Sequence, residues 1–157
     1  MSWPGLGEPT RPGPGDVGVV FQGPSLLPAL NAVENVALPL ELDGMRIAKA
    51  RRIAQEALTE VDLDGQATRF PDEMSGGQQQ RVAIARALIG ERQLLLADEP
   101  TGALDSQTGE AVLRLLRAKV DAGAAGVLVT HEAKHAAWAD RVVLLRDGLV
   151  VDTPEQS

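Results

Sequence analysis

Gln93-Leu94-Leu95-Leu96-Ala97-Asp98-Glu99-Pro100 is the stretch whose pattern settles the fold class. Its three consecutive leucines do not alternate with polar residues. The run from Gln93 to Ala97 therefore reads as a strand buried on both faces, as in a parallel sheet covered by helices. Asp98 and Glu99 follow at its carboxyl end, where polar residues of open α/β sheets collect for chemistry.

Val17 to Phe21, Val127 to Thr130 and Arg141 to Arg146 are further apolar, β-branched strand candidates. Asp147-Gly148 predicts a tight hairpin that returns Leu149 to Val151 antiparallel to its predecessor. Helices alternate with these runs. Asn31 opens one as N-cap, with Glu34 as its capping-box partner and Pro39 expected to kink or end it. Ile47, Ile53, Ala54, Ala57, Leu58 and Val61 recur at helical spacing between Arg46 and about Val61. A polar loop is expected from Asp62 to Met74, after which Ser75 caps a helix running to about Ile89 and Gly90 stops it. Asp105 caps the next helix, with Val112, Leu115, Leu116 and Val120 turned inward, and a short Ala-rich helix is expected over Glu132 to Ala139. The pattern is α/β, with residues 17–21 and 91–157 supplying the core strands and about 23–90 forming a helical lobe. Residues 1–16 hold Pro and Gly too densely for a helix or strand and read as a disordered tail.

Composition narrows the function. The chain has 157 residues, 44% hydrophobic and 24% charged, as a folded globular domain requires. Its net charge of −7 opposes nucleic-acid binding, so no nucleic-acid partner is expected. There is no cysteine, which excludes thiolate metal sites and cysteine nucleophiles. No apolar run reaches the length of a membrane span, and the N-terminus lacks a signal-peptide pattern. A cytosolic protein with no direct membrane insertion is the expectation.

Two segments carry most of the chemical information. In Met74-Ser75-Gly76-Gly77-Gln78-Gln79-Gln80-Arg81-Val82-Ala83-Ile84-Ala85-Arg86-Ala87-Leu88, a capping Ser is followed by two glycines at a helix start. Bare first-turn amides and the helix dipole let a phosphate approach the backbone there. Taken alone, Ser-Gly-Gly-Gln is equally an ordinary capped helix. The full run resembles the signature motif of ATP-binding cassette (ABC) ATPases. Leu94 to Pro100, roughly twenty residues on, resembles the Walker B segment of that family. The resemblance gives Asp98 the Mg²⁺ and Glu99 the attacking water as general base.

Three further elements follow the family's order. Thr101-Gly102-Ala103-Leu104-Asp105 resembles the D-loop, which crosses a dimer interface; Val127 to His131 resembles the switch strand, whose histidine meets the terminal phosphate. Gln22, after Val17 to Phe21, resembles the Q-loop glutamine that senses metal and water. By the same resemblance Ser75, Gly76, Gly77, Gln78 and Asp105 serve a nucleotide held by the second subunit. Asn31 to Leu40, Ser75 to Leu88 and Ala97 to Asp105 together look like the lipoprotein-release and macrolide-export group. That likeness implies ATP and Mg²⁺ as ligands, a second ABC subunit, identical or not, and a membrane permease. The protein would lie on the inner face of the cell membrane through that permease, with Leu26, Leu27 and Leu30 near the groove that receives it. The alternative is that these leucines pack internally.

The family's phosphate-binding loop, G-x-x-x-x-G-K-S/T, is not found: the lysines are Lys49, Lys119 and Lys134, none in a Gly-rich context. Gly13 to Gly18 matches G-x-G-x-x-G but precedes a strand instead of following one. The resemblance therefore covers about Asp16 onward, the rear two-thirds or so of an ATPase domain, and the sheet is expected to be open where the loop's strand would lie, between Val127–Thr130 and Arg141–Arg146. The expected function is an ATP-binding and hydrolysing subunit of an ABC exporter. The alternative is a catalytically silent partner that contributes only a signature motif to another subunit's site.

Overall fold

In the computed structural model, the described residues are 17–21, 23 and 25–151, so the tail expected over 1–16 and the candidate Gln22 lie outside them. Strand β1 (Val17–Val20) leads into helices α1 (Ala32–Leu42), α2 (Ile47–Glu60) and α3 (Gly76–Leu88). Then follow β2 (Leu94–Asp98), α4 (Ser106–Asp121), β3 (Ala125–Val129), a single turn α5 (Ala133–Ala136) and the hairpin β4 (Leu144–Arg146) with β5 (Leu149–Val151). The parallel sheet has the order β1-β2-β3, with Val19 opposite Leu96 and Leu96 opposite Val127. The antiparallel pair β4-β5 forms a separate sheet, so among the described residues no ladder joins it to β3. This is the open sheet expected from the sequence.

Helix α3 holds the molecule together because it is apolar on two sides. Val82, Ala85 and Ile89, just past its end, face a cluster with Val36, Ala50, Ala54 and Leu58 of α1 and α2. Ile84, Ala87 and Leu88 face Val20, Leu95, Ala97 and Val112. Gly18 sits where α3 crosses β1, and a Cβ there would run into the Ala87 carbonyl oxygen. Burying Leu58 alone contributes about 2 kcal/mol of hydrophobic free energy, since it is 1% exposed.

The second face of the sheet departs from expectation. Leu95 and Ala97 are buried, but Leu94 and Leu96 are only half-buried, and Val127 and Val129 on the same face are 52% and 54% exposed. The leucine run suits two-sided cover, whereas α3 and α4 pack on one side. Pro39 neither ends nor interrupts α1, which continues to Leu42. The turn beyond it closes normally because the Asp43 amide reaches the Pro39 carbonyl and the Met45 amide that of Leu40. Ile47, expected inward, is exposed at the first turn of α2. The segment expected as a polar loop buries Leu63, Ala67 and Met74 and includes a 3₁₀ turn over Pro71–Glu73. The Ala-rich helix shrinks to α5, and the Arg141 strand begins only at Leu144. Asp147 and Gly148 both take positive φ, 51° and 77°, as a two-residue hairpin turn of this kind requires.

Candidate functional site

The carboxyl end of β2 carries the acidic pair. Asp98 ends the strand opposite Val129 and is exposed. Glu99 is the first residue past it; its amide still donates to the Val129 carbonyl at 2.9 Å, which extends the ladder one step. Its φ of +45° lies in the left-handed region that L side chains avoid by roughly 1–2 kcal/mol. The Gly102 amide closes a turn onto the Glu99 carbonyl at 3.2 Å, and Pro100 inside that turn is fully buried. With this backbone geometry the Glu99 side chain reaches the residues just past β3.

There it meets His131. One oxygen, Glu99 Oε1, accepts from the His131 amide at 2.9 Å and from Nδ1 at 2.6 Å. A carboxylate can only accept here, so Nδ1 carries the proton. The Glu99 side chain is 13% exposed and that of His131 81%. The hydrogen bond to Glu99, and then its charge, raise the His131 pKa above the usual imidazole value. The neighbouring Thr130 hydroxyl accepts from the Glu132 amide at 3.1 Å, which fixes the turn after β3.

Ser75, Gly76, Gly77 and Gln78 form the start of α3. The Ser75 hydroxyl accepts from the Gln78 amide at 3.2 Å, while Gln78 Oε1 accepts from the Ser75 amide at 3.0 Å. Both side chains are thus engaged in a reciprocal cap, which does not use the amides of Gly76 and Gly77. A Cβ on Gly77 would stand 3.3 Å from the Ala103 carbonyl oxygen, so this helix start lies against the segment that leads to Asp105. Asp105 caps α4, its two oxygens accepting from the amide and hydroxyl of Thr108 at 2.8 and 3.0 Å. Those bonds hold its carboxyl below the usual carboxylate range.

The structure therefore brings Glu99 and His131 into contact. Among the described residues, no hydrogen bond or ion pair joins them to Ser75, Gln78 or Asp105. Leu27 is exposed, while Leu26 and Leu30 are half-buried. Sequence reasoning passed over Gln80, 1% exposed, whose side-chain amide donates to the Pro100 carbonyl at 2.9 Å. A signal was available: Gln80, Ile84 and Leu88 recur at a spacing of four, so the glutamine lies on a buried stripe.

A family model described as ABC transporter matches residues 8–102. The chain belongs to the ABC transporter family. Among its ABC relatives, the lipoprotein-releasing system ATP-binding protein LolD of Syntrophotalea carbinolica is 50% identical over 135 residues, or 85% of this chain and 60% of that protein. The macrolide export ATP-binding/permease protein MacB of Mannheimia succiniciproducens is 46% identical over 139 residues, 88% of this chain and 22% of that protein. The dimeric post-hydrolysis structure of the ATP-binding cassette MJ0796 bound to ADP and Pi superposes with a TM-score of 0.81 at 44% identity, covering 86% of this chain and 60% of that one. The ABC fold expected from the sequence is thereby established. The chain spans less than two-thirds of the length of these relatives.

A magnesium ion fits the acidic strand end in one specific way. Among the described residues no group of three or more His, Asp or Glu could hold a metal by itself. A single exposed carboxylate suits Mg²⁺, which keeps several waters and takes its remaining ligands from phosphate oxygens. Asp98 offers one exposed carboxylate of this kind at the end of β2.

Proposed function

We propose that the chain acts as the ATP-binding and hydrolysing subunit of an ABC exporter of the lipoprotein-release or macrolide-export type, coupling hydrolysis to a membrane permease. The observation that carries this reading is the Glu99 carboxylate, held at the end of a parallel strand against His131 in a chain of this family. Mg²⁺ and ATP, when bound, supply the electrophilic phosphoryl group and the counter-charge. Asp98 holds the metal. Glu99 orients the attacking water and takes its proton at Oε2, because Oε1 is already occupied by both His131 donors. His131 holds the Glu99 carboxylate in place through two donors on one oxygen, and its exposed ring is available to the terminal phosphate. By its resemblance to the Q-loop glutamine, Gln22 is assigned as the sensor of metal and water.

Ser75, Gly76, Gly77 and Gln78, with Asp105, act across a dimer on the nucleotide of a second ABC subunit. The reciprocal cap supports this role, since it orders the helix start while leaving two glycine amides unused. Residues of about 23–90 form the helical lobe that meets the permease, with Leu27 at its surface. Among the described residues no helix is long and apolar enough to cross a membrane. The proposed location is the cytoplasmic face, peripheral through the permease.

A second reading is favoured by one sequence fact, the lack of a G-x-x-x-x-G-K-S/T run. On it the chain is catalytically silent and contributes only its signature segment to an intact partner. Mg-ATP binding separates the two. Micromolar affinity of the chain alone sinks the silent reading, and undetectable binding sinks autonomous hydrolysis. Stimulated hydrolysis on adding an intact ABC cassette then identifies the partner role.

A further inference from the structure

We propose that Gln80 is a positioning residue whose side-chain amide ties α3 to the ends of β1 and β2 and so holds the turn that presents Glu99. The amide donates from Nε2 to two backbone carbonyls, Pro100 at 2.9 Å and Phe21 at 3.4 Å. The first belongs to the turn directly after Glu99, and the second to the residue directly after β1. One side chain thus joins α3 to the ends of both β1 and β2.

The orphaned half of the same amide strengthens the case. Gln80 is 1% exposed, yet among the described residues its Oε1 has no hydrogen-bond partner. Burying an unpaired acceptor is unfavourable, and a methionine of similar length would avoid it. What the glutamine supplies in return is its two donors. They act where the backbone needs restraint: Glu99 takes a φ of +45° without being glycine, a conformation that persists only when the surroundings hold it. The Val129 carbonyl holds the Glu99 amide on one side, and Gln80 holds the Pro100 carbonyl on the other. The carboxylate is left facing His131. Gln80 also lies two residues beyond Gln78, so a shift of the α3 start is carried to the acidic strand end through a single side chain.

The catalytic meaning of this link rests on the reading of Glu99 given above; the link itself is measurable without nucleotide. The experiment is amide hydrogen exchange by NMR on the full chain, wild type against Gln80→Met, at fixed pH. The expected result is exchange about tenfold faster at the amides of His131 and Gly102, which bond to Glu99, with Ala37 and Ala54 in the distant helices unchanged. Unchanged exchange at His131 and Gly102 overturns the proposal. Equal acceleration at all four sites overturns it too, because Gln80 would then be a general stabiliser only. If Gln80→Met does not fold, the wild-type chain still decides: the Gln80 side-chain NH₂ protons must exchange slowly, and free exchange overturns the proposal. Glu99→Gln tested for hydrolysis in an assembled complex reports separately on the role of Glu99. Retained turnover there would remove the catalytic meaning and leave the exchange result standing.

Discussion

A single oxygen of Glu99 receives both the backbone amide and the ring Nδ1 of His131, at 2.9 and 2.6 Å. Residues 32 positions apart in sequence become one hydrogen-bonded unit because β2 and β3 are adjacent parallel strands that end at the same level. Among the described residues no hydrogen bond occupies the second oxygen of Glu99, and the pair ties the protonation of His131 to the charge of its neighbour.

The pH dependence follows from the direction of that coupling. The His131 pKa is raised in the folded chain, so its contribution to stability is fully present below the unfolded imidazole value, near 6.5. It is lost as pH rises through the folded value. An NMR titration of the His131 ring should show a midpoint above that of an unfolded peptide, and Glu99→Gln should bring it down. A midpoint unchanged by Glu99→Gln would show that the pair does not form in solution.

Catalysis should be lost with the same substitution. In an assembled complex, Glu99→Gln is expected to lower turnover by roughly 10²–10⁴-fold, the usual contribution of a general base, while nucleotide binding is spared. Steady-state hydrolysis and equilibrium nucleotide binding, measured side by side, test this. Wild-type turnover by the variant assigns the base elsewhere.

Gly18 offers a test of how β1 and α3 pack. Because a Cβ would meet the Ala87 carbonyl, Gly18→Ala must push the helix off the strand, at a cost of about 1–3 kcal/mol for overpacking. Urea unfolding should show a lower midpoint. Equal stability would mean that α3 can slide without loss.

Asn35 organises the loop before α1. Fully buried, it donates to the carbonyls of Leu27, Leu30 and Asn31 and accepts from the Leu27 amide. Asn35→Ala strands the Leu27 amide and the Leu30 carbonyl, while the carbonyls of Leu27 and Asn31 keep the amides of Leu30 and Asn35, so a loss of about 2–4 kcal/mol is expected from penalties of about 1–3 kcal/mol per stranded group. Leu27, exposed on that loop, should lose its ordered position, which NMR order parameters would register. An Asn35→Ala chain as stable as wild type would show that water replaces the side chain.

The cap of α3 is testable in the same way. Ser75→Ala removes the acceptor for the Gln78 amide and should destabilise by about 0.5–2 kcal/mol, read by thermal unfolding. If Ser75 also reaches a partner's nucleotide, stimulation of an intact cassette should fall by more than this stability change explains.

Local chemistry was legible in the sequence. Asn31 with Glu34 and Ser75 with Gln78 are capping boxes whose partners stand three residues apart, and Asp147-Gly148 admits one kind of turn; both depend only on near neighbours. The Leu94 to Pro100 run likewise announces a buried strand with carboxylates at its end. What the sequence could not contain is how many sides of that strand are covered, because cover depends on which face the flanking helices pack against: α3 and α4 both shield Leu95 and Ala97, and Leu94 and Leu96 remain half-exposed. Nor could it show that Glu99 turns toward His131, or that Gln80 reaches Pro100. Those contacts arise from parallel strand register and from the angle at which α3 crosses the sheet. Helical and strand periods are short-range properties of a chain, whereas the meeting of residues 80, 99 and 131 exists only once the layers have packed.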